Sequence, residues 1–231
     1  PSPSARLRGA MAVDRWATFD CYGTLIDWMG GIRDTLSDLW PEHDAELLLS
    51  AYHEIEPEVQ RGRALPYRQV LAESLERVAH REGLELADDD RQALGDSLPN
   101  WPPFDEVPAS LAELRSRGWR IGILSNTDPV FLDASLEAIG VPVDLRITAA
   151  EAGSYKPAFG HWRRFFEQTG AERERHVHVA ASLFHDIAPA HELGLRAVWI
   201  NRLRESSDLP RAAELEDLSQ LPETLDDLVT A

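Results

Sequence analysis

The amino-acid sequence predicts an α/β fold: a parallel sheet flanked by helices, with a helical cap inserted after the first strand. Three observations carry that prediction. Short apolar runs of β type alternate with amphipathic stretches at helical spacing, several of those stretches end at a glycine, and one long segment reads as helices only. Alternation of strands and helices is the pattern of right-handed β–α–β crossovers, which lay successive strands parallel in one sheet.

The β-type runs are residues 16–19, 121–124, 145–148, 177–181 and 197–200. Helix-period apolar stripes lie between the later ones: Leu111 and Leu114 within 109–117; Phe131, Leu132, Leu136 and Ile139 within 129–139; Trp162, Phe165 and Phe166 within 161–169; and the stretch 187–193. Gly118, Gly140, Gly170 and Gly194 follow these stripes, where a helix ends well on a left-handed residue. From 30 to 98 the rhythm changes to helices alone, expected over 32–40, 44–59, 67–82 and 88–98, before a Pro- and Trp-rich linker at 99–103. The expected division is therefore an α/β core of 1–29 and 99–231 and a helical cap of 30–98. Such a cap covers the carboxyl edge of the sheet, where open α/β sheets bind ligands.

Composition narrows the function. The chain has 231 residues, enough for one domain with a modest insertion. Forty acidic against 23 basic residues give a net charge of −17, which argues against a nucleic-acid partner. The one cysteine, Cys21, has no intramolecular disulfide partner, and no Cys/His spacing suggests zinc. No apolar run of about 18 residues spans a membrane. Residues 1–10 lack the apolar stretch of a secretory signal and read as a frayed tail, with Met11 as an alternative start. The expected compartment is the cytoplasm.

Four places carry polar chemistry at or near the carboxyl end of a predicted strand: Asp20 with Cys21, Tyr22 and Thr24; Ser125 with Asn126; Lys156; and Ser182 with His185 and Asp186. A carboxylate that is aimed and desolvated forms a covalent ester as a nucleophile. A lysine beside it balances charge, and hydroxyls orient it. Taken singly each group has a plainer reading, as turn chemistry or a solvated loop residue. Their placement after successive strands of one sheet is what makes a site of them, with Asp20 as the nucleophile.

The segment Phe19-Asp20-Cys21-Tyr22-Gly23-Thr24-Leu25 resembles the first motif of the haloacid dehalogenase superfamily, whose core is Rossmann-like. Ser125-Asn126, Tyr155-Lys156-Pro157 and the Asp186 segment stand at its other three motif positions, and the resemblance runs from Trp16 to about Arg202. Within the superfamily, Trp199-Ile200-Asn201-Arg202 is similar to the type II 2-haloacid dehalogenase branch. The resemblance implies an aspartyl-ester hydrolase with Asp20, Thr24, Ser125, Lys156 and Asp186 as catalytic residues. It implies cleavage of a carbon–halogen bond of a short (S)-2-haloalkanoate to the 2-hydroxy acid, with a homodimer as a candidate assembly. Cys21, Tyr22, His53, Asn126, Trp162, Ser182 and His185 are the expected substrate-binding residues. Phosphatases of the superfamily carry an aspartate where this chain has Tyr22, and metal-dependent members an acid where it has Ala181. No cofactor is therefore expected; if Mg²⁺ were held, Asp20, the Tyr22 carbonyl and Asp186 would hold it.

Three departures leave the substrate open. Leu183 stands where the branch has a water-positioning asparagine, His53 where it has a cap arginine (with Arg61 and Arg63 nearby), and Trp162 near its usual tyrosine. His185 could replace the missing water activator, or be a solvated histidine at a helix start. A Mg²⁺-dependent phosphatase and a hydrolase of another small carboxylic acid remain as alternatives, with a non-catalytic binding protein behind them.

Overall fold

Strand β1 (Arg15–Phe19) lies inside a six-stranded, all-parallel sheet with β2 (Trp119–Ser125), β3 (Leu145–Thr148), β4 (His176–Ala180), β5 (Arg196–Ile200) and β6 (Ala213–Leu215). Their order is β3-β2-β1-β4-β5-β6. The chain thus winds outward from β1 in one direction, returns, and winds outward in the other. The reversal leaves a crevice between the carboxyl ends of β1 and β4, where a doubly wound sheet binds its ligand. The computed structural model describes residues 14–61 and 65–230. The tail, Met11 and Arg63 lie outside them.

Side chains alternate across the strands, so each strand feeds two cores. Ala17, Phe19, Ile121, Ile123, Val177, Val179, Val198 and Ile200 face one core. It is completed by α5 (Val107–Ser116), α6 (Pro129–Ile139), α10 (Leu221–Leu228) and the helical insertion. Trp16, Leu124, Ile147, Ala180 and Trp199 face the other, packed by α8 (Gly160–Thr169) and α9 (Ala188–Glu192). Arg15, buried at the start of β1, bonds Asp226 at 2.7 Å and so pins α10 to the sheet. The short α7 (Ala149–Ala152) follows β3, its N-terminus closed by a reciprocal Thr148–Glu151 capping box.

The insertion holds α1 (Trp28–Leu39), α2 (Ala45–Gln60), α3 (Tyr67–Glu82) and α4 (Ala93–Ser97). Asp27 and Asp44 cap the first two by accepting backbone N–H groups. The division expected between residues 29 and 30 falls inside the first turn of α1.

Several expectations needed correction. The helix expected over 88–98 is three pieces: a 3₁₀ turn at Asp88–Asp90, α4, and a second 3₁₀ turn at Leu98–Asn100. Adjacent aspartates compete for backbone hydrogen bonds, and Pro99 starts the last turn without an N–H to give. The helix expected over 187–193 is preceded by a single π turn, Leu183–Ile187, that the periodicity does not show. β6 and α10 were not expected at all.

Candidate active site

The site is built where β1 and β4 end. Asp20 follows β1, and its backbone N–H donates to the Val179 carbonyl of β4 at 3.1 Å, fixing the turn. The turn bends back at Gly23, whose φ of +84° a residue with a Cβ adopts only under strain. That return brings Thr24 beneath the Asp20 carboxylate. Thr24 Oγ1 donates to Asp20 Oδ2 at 3.1 Å and accepts the Ala181 N–H at 2.9 Å, so one hydroxyl joins the β1 and β4 loops.

Lys156 enters from the loop after α7 and is 2% exposed. Its ammonium has three protons and three acceptors: Asp20 Oδ1 at 2.8 Å, Asp186 Oδ1 at 2.7 Å and the Leu124 carbonyl at 2.8 Å. Asn126 holds the backbone of Lys156 at both ends, donating Nδ2 to its carbonyl at 2.9 Å and accepting its N–H at 2.7 Å. A buried ammonium is tolerable only with such partners. Burial alone would lower its pKa, but Asp186 and Asp20 hold it above the usual lysine value.

The two carboxylates differ. Burial raises the pKa of Asp20 against the pull of Lys156, and the charge of Asp186 adds to that rise. Burial pushes Asp186 in the same direction, but Lys156 and the His178 ring hold it below the usual carboxylate range. His178 Nε2 lies 3.0 Å from Asp186 Oδ1. Asp186 Oδ2 is buried and has no protein partner, and the same is true of Ser125 Oγ.

The other expected site residues divide into two groups. Tyr22 and Ser182 stand in the loops that surround Asp20. The Tyr22 hydroxyl pairs with Ser135 at 3.0 Å, and its ring stacks on Tyr67 of α3 at 6.2 Å. Ser182 Oγ accepts the His185 N–H at 3.1 Å, opening the π turn that carries Asp186. Burial holds the His185 ring below the usual histidine pKa. Asn126 is engaged with Lys156. Cys21 is fully buried, its side chain in the core. Trp162 is likewise a core residue, 1% exposed, with its ring edge-on to His178 at 5.2 Å, because α8 turns its apolar stripe onto the sheet. His53 stacks on Trp28 at 5.0 Å, and burial lowers its pKa. It presents an imidazole ring where an arginine was sought.

The insertion contributes a polar cluster that the sequence did not single out. Trp28 Nε1 donates to the Tyr67 hydroxyl at 3.2 Å, which donates to Glu56 at 2.9 Å. Burial raises the Glu56 carboxyl to about 7. Asp128, on the turn after Asn126, accepts the backbone N–H groups of Tyr67 and Arg68, each at 3.0 Å, and so grips the start of α3.

The Lys156 ammonium lies between Asp20 Oδ1 and Asp186 Oδ1. Among the described residues no group of three or more His, Cys, Asp or Glu could hold a metal. Mg²⁺ keeps several waters and binds through one or two carboxylates, so Asp20, Asp186 and the Tyr22 carbonyl are the groups that would hold one.

An aspartate after β1, a hydroxyl on β2, a lysine after β3 and an aspartate after β4 stand at one sheet edge. Residues 15–194 match the haloacid dehalogenase-like hydrolase family. The chain belongs to that family. As a haloacid dehalogenase-like hydrolase it is 28% identical over 190 residues to an (S)-2-haloacid dehalogenase of Pseudomonas sp. (strain YL), covering 80% of this chain and 81% of that one. It is 27% identical over 226 residues to (S)-2-haloacid dehalogenase 1 of Pseudomonas sp. (strain CBS-3), covering 91% and 96%. Its fold matches the L-2-haloacid dehalogenase structure from Xanthobacter autotrophicus with a TM-score of 0.82 at 20% identity, over 93% of this chain and 99% of that chain. No helix among its described residues is long and apolar enough to cross a membrane.

Proposed function

We propose that this hydrolase cleaves the carbon–halogen bond of a short 2-haloalkanoate, without a metal, through an ester on Asp20. The observation that carries the reading is the Lys156 ammonium seated between Asp20 Oδ1 and Asp186 Oδ1. In the proposed chemistry this fixed cation supplies the positive charge that a metal supplies in phosphoryl transfer. Tyr22 adds to it, since its hydroxyl is bound to Ser135 and no carboxyl stands there to protonate an alkoxide. A halide leaves without a proton.

In the first step an Asp20 oxygen attacks C2, a C–O bond forms, and the halide departs with the C–X electron pair. Burial of Asp20 strips its hydration and so favours attack. Thr24 and Lys156 aim the carboxylate. Ser125, with its unpartnered hydroxyl, receives the substrate carboxylate. In the second step water attacks the Asp20 carbonyl carbon. The ester bond breaks, one water proton passes by way of Asp186 to the departing alkoxide, and the other is released as Asp20 ionises again. The product is the 2-hydroxy acid. The α1–α4 insertion acts as the cap, with Tyr67 and Trp28 on its inner wall.

Leu183 favours a second reading in which the same ester chemistry serves another small carboxylic acid, since it packs against the core rather than offering an amide to water. One experiment separates the readings: a panel of 2-haloalkanoates and phosphate esters, with and without EDTA, scored for halide and phosphate. Halide release that survives EDTA is expected. Phosphate release with no halide from any haloacid overturns the proposal.

A further inference from the structure

A chain of buried hydrogen bonds leads from Asp186 into the sheet, behind the groups that take part in the proposed chemistry. His178 Nε2 lies 3.0 Å from Asp186 Oδ1, its Nδ1 lies 2.9 Å from Thr18 Oγ1, and that hydroxyl lies 2.7 Å from His176 Nε2. His176, His178, Thr18 and Asp186 are all fully buried. They meet because Thr18 pairs with His178 in the β1–β4 register, and because positions 176 and 178 share a face of β4.

The protons in this chain have a forced order. The Asp186 carboxylate only accepts, so His178 Nε2 carries a proton. A His178 ring protonated at Nε2 alone accepts at Nδ1, and Thr18 gives it the one proton a hydroxyl has. Thr18 accepts in turn from His176 Nε2, which leaves His176 Nδ1 as a bare lone pair; that atom has no partner. In the reverse order His176 Nδ1 would carry a buried proton with no acceptor, beside the Phe165 and Phe166 rings at 5.0 and 5.2 Å. An orphaned buried donor is the costlier outcome.

We propose that His178 is a positioning residue for ester hydrolysis: its Nε2–H, with Lys156, fixes Asp186 Oδ1 so that Oδ2 is left to orient the attacking water. Thr18 and His176 act behind it by holding the ring in one tautomer. The inference rests on Asp20 forming the ester. It assigns to His178 a share of the water-positioning task that Leu183 cannot perform. Attack by Asp20 on C2 makes no demand on Asp186 Oδ2, so only the second chemical step depends on His178.

Two measurements decide it. Long-range ¹⁵N–¹H spectra of the substrate-free protein read the tautomer: a proton on His178 Nε2 and a bare Nδ1 are expected, and a proton on Nδ1 alone overturns the proposal. Single turnovers with 2-chloropropionate read the two steps separately, the first as halide release and the second as loss of the ester from the intact-protein mass. His178→Leu is expected to keep halide release within about threefold and to slow ester loss on the order of 10- to 100-fold, accumulating ester. His178→Gln can still donate an amide N–H to Oδ1, and should recover most of the second step. Equal slowing of both steps, or ester loss at the wild-type rate in His178→Leu, overturns the proposal. If that variant does not fold, Thr18→Val replaces it: the His178 ring should lose its single tautomer and ester loss should slow, and no change in either overturns the proposal. Wild-type protein that forms no ester from any haloacid refutes the ester reading itself, and the tautomer then tests the hydrogen-bonded chain on its own.

Discussion

Lys156 and Asp20 meet at 2.8 Å in a site where the lysine has no proton left to offer. The ammonium is a fixed part of the site, and its removal should be felt as structure as well as chemistry.

Lys156→Met leaves two buried carboxylates without their cation. Removing one partner of a buried pair costs about 3–5 kcal/mol. The loss should be largest at neutral pH. In the variant both carboxylates have raised folded pKa values, so the fold is favoured while they are protonated and weakened as pH rises through those values. Denaturant unfolding at pH 5 and pH 8 checks this; an equal loss at both would contradict it.

Thr24→Val keeps the shape and removes two hydrogen bonds, one to Asp20 and one from the Ala181 N–H. An orphaned buried N–H and a carboxylate freed to rotate should together cost about 1–3 kcal/mol. Turnover should fall at least tenfold, with Thr24→Ser restoring most of it. Steady-state kinetics with a calorimetric melt decide the matter.

Glu56 gives the insertion a pH response. Burial raises its carboxyl to about 7, with the Tyr67 hydroxyl as its hydrogen-bond donor. A folded pKa above the unfolded one, about 4.3, means stability is greatest below that lower value and declines as pH rises to about 7. Glu56→Gln should flatten that decline, which amounts to at most about 4 kcal/mol. Unfolding free energies across pH 5 to 8 test it, and an unchanged slope would count against Glu56.

Asp128→Ala releases the two backbone N–H groups at the start of α3. A lost cap of this kind costs about 1–2 kcal/mol. Amide exchange should quicken at Tyr67 and Arg68 while β1 stays protected. If protection at α3 is unchanged, the insertion is held elsewhere.

The sheet was legible because its strands are continuous apolar runs, and Asp20, Ser125 and Asp186 were found because each stands at or just beyond a strand end. What was missed has a common cause. His178 and Thr18 are polar positions inside apolar strands, and their meaning appears only once β1 and β4 are in register. Glu56 and Tyr67 lie on different helices and read singly as helix-surface residues. Trp162 was named as a substrate-binding candidate from its spacing after Lys156, although the apolar stripe it shares with Phe165 and Phe166 already pointed to the core, where it lies. β6, three residues at the sheet edge, gives too short a pattern to find.

The pairing of one ammonium with two carboxylates leaves the resting centre with one surplus negative charge, counting Asp20, Asp186 and Lys156. On the proposed chemistry the first step turns Asp20 into an uncharged ester and sends that surplus out with the halide. The alkylated protein then carries one surplus negative charge, that of the bound acid's own carboxylate, against two in the substrate complex. Catalysis passes from a doubly charged complex through a singly charged ester and back, so the repulsion relieved in forming the ester is restored only when water breaks it.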